Sequence, residues 1–153
     1  MRVLIGTDGS DDAVAAAKQA VTLLAPADAV IVVCVIETPG IVSAGYESGF
    51  AGGIASPEDI DTAWAAANRE ATLAIEHTVA NLGGAVTVEP KIQIGSAGEA
   101  LCRLADELAA DVVVVGSRGR GAIRRALMGS VSTHVVNNCP KPVLVVRSGT
   151  ASA

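Results

Sequence analysis

The chain has no apolar run long enough to cross a membrane: Ala29 to Ile36 is among its longest, and a bilayer core needs about 20 residues. No transmembrane helix is expected. The opening Met1-Arg2-Val3-Leu4-Ile5-Gly6-Thr7-Asp8 meets a carboxylate too soon for a secretory signal, so the expectation is a cytoplasmic protein. Cysteines are few. Cys34, Cys102 and Cys139 are odd in number and lack a CxxC spacing, which disfavours a disulfide framework or a zinc site and leaves buried structural thiols as the reading. His77 and His134 stand apart in sequence from any cysteine or carboxylate cluster, so a preformed metal site has little support. Positive charge is also short, with a formal net charge of −5, and that acidity argues against a general nucleic-acid binder.

What the chain does have is aliphatic content. Half of its 153 residues are hydrophobic, enough for one core without disulfides or metal. A single domain over 1–148 with a flexible tail over 149–153 is expected. Strands and helices alternate along it. Arg2 to Thr7 reads as a first strand, and Ser10-Asp11-Asp12 opens a helix whose apolar face runs Ala13, Ala16, Ala17, Ala20, Val21, Leu24 before Pro26. Ala29 to Ile36 is a second strand, apolar throughout as a central parallel strand should be. Glu37 to Ala55 is a long glycine-rich loop carrying Tyr46 and Phe50, a functional flap or a locally disordered segment.

Ser56-Pro57-Glu58-Asp59 then starts the longest helix. Its buried face is Ile60, Trp64, Ala67, Ala71, Ile75, Thr78 and Leu82, with Trp64 in the core rather than under a ligand. Gly83-Gly84 ends it. Val86 to Ile94 is a third strand, placed at a sheet edge by Pro90. Ser96-Ala97-Gly98-Glu99 has the spacing of a capping box ahead of a third helix. Val112 to Val115 is a fourth strand buried on both faces, and Pro142 to Val146 a fifth, after a short helix that Ser130 should cap. Regular alternation specifies an α/β domain with an open parallel five-stranded sheet and helices on both faces.

Chemistry concentrates after the fourth strand. Gly116-Ser117-Arg118-Gly119-Arg120-Gly121 leads through Arg124 and Arg125 to Gly129-Ser130. Glycines allow close backbone approach, the arginines bring positive charge into an acidic chain, and a helix N-terminus offers free N–H groups, so together they make an anion site. In parallel sheets ligands sit beyond the carboxyl ends of strands where the winding reverses. Placing the first strand, which ends in Gly6-Thr7-Asp8, beside the fourth gives one site and implies the order 3-2-1-4-5. Read locally, Asp8 could also cap a turn and Ser130 could be only an N-cap. The combined spacing carries the inference.

Two nucleotide fingerprints fail here. The Walker pattern needs Lys-Ser or Lys-Thr after its last glycine, where this chain has Ala122-Ile123, and no GxGxxG follows the first strand. What stands instead is Gly116-x-x-Gly119, nine residues, then Gly129-Ser130. With an aspartate closing the first strand, and with Cys139-Pro140-x-Pro142-Val143-Leu144-Val145-Val146 at the end, this resembles the ATP-binding members of the universal stress protein family over essentially the whole chain. The resemblance implies a Rossmann-like, adenine nucleotide α-hydrolase-like fold. It also implies ATP as ligand, a homodimer, and a role in stress response or growth regulation rather than a defined metabolic reaction.

By that likeness Gly6, Thr7 and Asp8 lie near the nucleotide, with Asp8 near a magnesium ion that accompanies it, and Val35 meets the base. Gly116, Arg118 and Gly119 line the ribose and phosphates, while Gly129, Ser130, Val131 and Ser132 hold the phosphates through N–H groups and hydroxyls. Many relatives have threonine where this chain has Ser132, a change that keeps the hydroxyl. No His, Glu or Lys is placed by sequence as a general base, so at most slow hydrolysis is expected. Two other readings stay open: a nucleotide-independent dimeric interaction protein, and an enzyme of phosphoryl or adenylyl transfer. The Pro142-to-Val146 strand, apolar and at an edge, is the expected dimer contact.

Overall fold

The computed structural model describes residues 1–38, 56–84, 86–119 and 128–147. Most of the Glu37-to-Ala55 loop, with Tyr46 and Phe50, lies outside the described residues. So do Arg120, Arg124, Arg125 and the 149–153 tail. Nine elements follow in chain order: β1 (Arg2–Gly6), α1 (Asp11–Leu23), β2 (Ala29–Ile36), α2 (Pro57–Ala80), β3 (Val88–Ile94), α3 (Ala97–Glu107), β4 (Val112–Gly116), α4 (Ser130–Asn138) and β5 (Val143–Val146). The strands form one parallel sheet in the order β3-β2-β1-β4-β5, with Leu4 beside Ile31 on one flank and Val113 on the other. Chain order reverses between β1 and β4, which opens a crevice at the carboxyl ends of those two strands.

Strand alternation divides the core in two. Val3, Ile5, Val30 and Val32 face the alanine stripe of α1 and the Ala71, Ala74 and Ile75 side of α2. Leu4, Ile31, Val33 and Val113 face Leu101 and Leu104 of α3 and Val135 of α4. Small alanines let α1 lie close on the sheet, and Trp64 is half-buried against the same cluster, as its spacing implies. Val32 pairs with Pro90 on β3, which is an edge strand, so the proline sits where a missing N–H is tolerated. Among the described residues no helix is long and apolar enough to cross a membrane.

Several local expectations need correcting. Ser56 does form its capping box, its hydroxyl accepting from Asp59 N at 3.1 Å while the Asp59 carboxylate accepts from Ser56 N at 3.0 Å. Ser96 does not: it sits at the N-cap of α3 with no side-chain cap bond, and its ψ of 124° differs from the 156° of Ser10 and Ser56, which do cap. Ser130 is not the N-cap of α4. That place belongs to Gly129, extended at φ −78° and ψ 168°, and Ser130 is the first helical residue. β3 begins at Val88 rather than Val86. Beyond α2, Gly83 and Gly84 hold φ of +77° and +67°, which breaks the helix in the left-handed region that glycine tolerates.

Candidate functional site

The crevice at the strand reversal is a cleft of about 510 Å³. Its floor is the carboxyl end of the sheet: Gly6, Thr7 and Asp8 from β1, Val33 to Glu37 from β2, and Val115 and Gly116 from β4. Arg118 and Gly119 on one side and Gly129, Ser130, Val131 and Ser132 on the other close its polar end. The positions named from the resemblance, Val35 included, meet around one cavity, while Arg120, Gly121, Arg124 and Arg125 of the glycine loop lie outside the described residues. Residues separated by more than a hundred positions are brought together because β1 and β4 are neighbours.

The stems of the glycine loop are tied to each other. Gly129 N donates to Ser117 O at 2.8 Å, and Ser117 N donates to Val146 O at 2.8 Å, anchoring the loop to the last strand. The Ser132 hydroxyl, buried, lies 3.1 Å from Ser117 O and 3.0 Å from Gly129 O, to which it donates. Its hydroxyl thus braces the loop from beneath. The cradle facing the cleft is backbone. A glycine N-cap offers no side-chain acceptor, so the first N–H groups of α4, from Ser130 to Ser132, have none within their own helix and carry the positive end of its dipole.

Asp8 caps the turn, as its local reading allowed, and also lines the cleft. Its Oδ1 accepts from Ser10 N at 3.0 Å and from Ser10 Oγ at 2.6 Å, fixing the turn into α1. Its Oδ2 faces Gly119 so closely that a Cβ on that glycine would stand 2.7 Å away. Thr7 is more structural than expected: its hydroxyl accepts from Gly9 N at 3.0 Å and lies 2.8 Å from the Thr78 hydroxyl, which itself donates to Ala74 O. With the Thr78 proton used, Thr7 is the donor between them, joining β1 to α2. Arg118 pairs through Nε with Asp12 at 3.3 Å, both partly exposed, so its guanidinium is held at the cleft rim by α1.

One wall was not legible as site. Ala67, Ala71 and Ala74 of α2 line the cleft beside Glu70. As sequence they are simply the small residues of a buried helical stripe, and nothing in that pattern says that the stripe overhangs a cavity. Short side chains here leave an apolar slot in the lining, to which Val35 and Leu101 contribute from the other face of the sheet, joined to the polar end. Such a slot takes a flat apolar ring, and the polar end takes an anion. His77 lies outside the lining, its Nδ1 3.2 Å from Gly9 O. No group of three metal-ligating side chains occurs among the described residues.

Comparison with known proteins agrees with this architecture. Residues 1–147 match the universal stress protein family. The chain belongs to that family. Universal stress protein Rv1636 of Mycobacterium tuberculosis is 32% identical over 146 residues, covering 95% of each chain. Among solved structures of universal stress protein type, one described as a complex with cAMP is 28% identical, with a TM-score of 0.61 and 97% and 98% of the two chains covered. The hypothetical protein MJ0577 superposes with a TM-score of 0.78 at 26% identity, covering 98% and 97%.

Proposed function

We propose that this universal stress protein binds an adenine nucleotide in the cleft, ATP being the expected form, and acts as a nucleotide-responsive protein in stress or growth control. The base lies in the slot between Val35 and the α2 alanines, and the phosphates lie against Gly116 to Gly119 and Gly129 to Ser132. The observation that carries this reading is the N-terminus of α4 opening onto the cleft beside Arg118, with a glycine N-cap and no side-chain cap bond to its first turn among the described residues. The cAMP complex of a relative supports an adenine nucleotide as the ligand class.

Ser132, like Thr7, serves by holding the cradle in shape. Asp8, at the same end, suits a magnesium ion brought in by the phosphates, because such an ion needs only one or two carboxylates from the protein. Glu37 and Glu70 line the cleft among the described residues, so carboxylates stand nearer the ligand than the sequence implied. A homodimer joined through the Pro142-to-Val146 edge completes the reading.

Nucleotide released by denaturing protein purified without added ligand tests it. Stoichiometric ATP, AMP or cAMP on chromatography is expected. Protein free of nucleotide that also fails to take up all three when they are added would favour the nucleotide-independent interaction protein.

A further inference from the structure

The nucleotide reading leaves unused a pair of thiols on the side of the sheet covered by α3 and α4. Cys102, in the middle of α3, is buried at 8% exposure, and Cys139, the C-cap of α4, is half-buried against the same cluster. Three contacts step along these two helices in register. Near the start of α3, Gly98 meets His134 so closely that a Cβ on the glycine would stand 2.7 Å from the His134 Cβ and ring. One turn on, Cys102 and Cys139 lie in the same core cluster. One further turn on, Asp106 pairs with Lys141 at 3.4 Å.

The spacing 98, 102, 106 advances one face of α3, while 134, 139, 141 follows it along α4 and the turn beyond. The missing Cβ at Gly98 brings the two backbones together, and Cys139 N donating to Val135 O at 2.9 Å fixes the second thiol in place. A disulfide demands a short Cα separation, and the contacts on either side of the two cysteines hold the helices close enough to offer one.

We infer that Cys102 and Cys139 form a reversible disulfide when the protein meets a hydroperoxide, stapling α3 to the C-terminal end of α4. Cys139, the more accessible sulfur, attacks the peroxide, breaking its O–O bond and releasing water as it becomes a sulfenic acid. The Cys102 sulfur then forms the S–S bond, and its proton leaves with the hydroxyl as a second water. Two thiols are oxidised by two electrons and the peroxide is reduced by two. Burial, with the adjacent Cys139 thiol, pushes Cys102 up to about 11, which makes it the poorer nucleophile of the two and leaves Cys139 as the point of first attack. A small-molecule dithiol reverses the bond.

The test is hydrogen peroxide treatment of the full-length protein, followed by intact mass and alkylation under denaturing, non-reducing conditions. The expected result is a mass lower by two hydrogens, alkylatable thiols falling from three to one, a linked peptide pair containing Cys102 and Cys139, and full recovery with dithiothreitol. Cys139→Ser, at a half-buried cap position, should fold as the parent does by circular dichroism and lose the two-hydrogen change. Any of three results overturns the inference: three alkylatable thiols after peroxide, oxygen added to Cys139 without a crosslink, or a bond that joins Cys34 or a second chain. A folded Cys139→Ser variant that still loses two hydrogens does so as well.

Discussion

Thr7 and Thr78 show how a residue beside the cleft can matter by staying out of it. Their hydroxyls form a buried chain from Gly9 N through Thr7 and Thr78 to Ala74 O. Replacing Thr78 with valine keeps the shape and leaves the Thr7 donor without an acceptor, so it should cost about 1–3 kcal/mol. Urea denaturation checks this as a lower midpoint at unchanged slope. Thr7→Val added to it should recover part of the loss, because a pair of apolar replacements strands only the Gly9 N–H.

Residue roles were only partly legible in the sequence. Gly116, Gly119, Gly129 and Asp8 could be picked out as cleft residues because their combined spacing at strand and helix ends, rather than any one of them, has few alternative explanations. The hydroxyls of Thr7 and Ser132 could not be assigned, since whether a hydroxyl points at a ligand or at a carbonyl depends on partners 71 and 15 positions away.

At the scale of elements, continuous apolar runs located the central strands and the 3.6 period the helices among the described residues, and the misplacements fall at ends. Caps depend on local backbone and side-chain geometry that the sequence does not carry, so Ser56 and Ser96 look alike in sequence and behave differently. The Ser56 cap also carries a pH dependence. Its hydrogen bonds to Asp59 hold that carboxyl below its ordinary value of 3.8. A depressed folded-state value means that the contribution is fully present above the ordinary value and is lost as pH falls through the lowered one. The stability difference between the parent and Asp59→Asn should therefore be constant near neutrality and vanish in acid, read by thermal unfolding across pH 2–7.

The α3–α4 contact was invisible in the sequence, where Gly98 is one more small residue in a helix. With His134 where its Cβ would go, Gly98→Ala should push the helices apart at a cost of about 1–3 kcal/mol. His134→Ala in the same chain should restore much of it, a coupling that a double-mutant cycle measures.

For the whole molecule, the order β3-β2-β1-β4-β5 followed from two polar strand ends that had to be neighbours, and the structure has that order. The composition of the second wall, from α2, did not follow, because the long loop before it hides where the helix comes to rest. The open edge at β5 bears on assembly. Leu144 and Val146 pack into the core, so a lysine at either would unfold the chain before it reported on a dimer. Pro142 O and Val146 O accept from β4, so by strand alternation the Val143 and Val145 backbone groups face outward. Light scattering should give a dimer mass for the parent and a monomer mass for Val145→Pro, which removes an outward N–H and leaves the β4 ladder intact.

The central claim is that the Gly116-to-Ser132 region cradles the phosphates of an adenine nucleotide. A Cβ on Gly129 would meet nothing closer than 3.6 Å, and φ there is −78°, so Gly129→Val should fold while its side chain fills the space the phosphates need. Isothermal titration with ATP is the direct measurement. The account predicts saturable one-to-one binding by the parent and no measurable binding by folded Gly129→Val; undiminished affinity in that variant would contradict it.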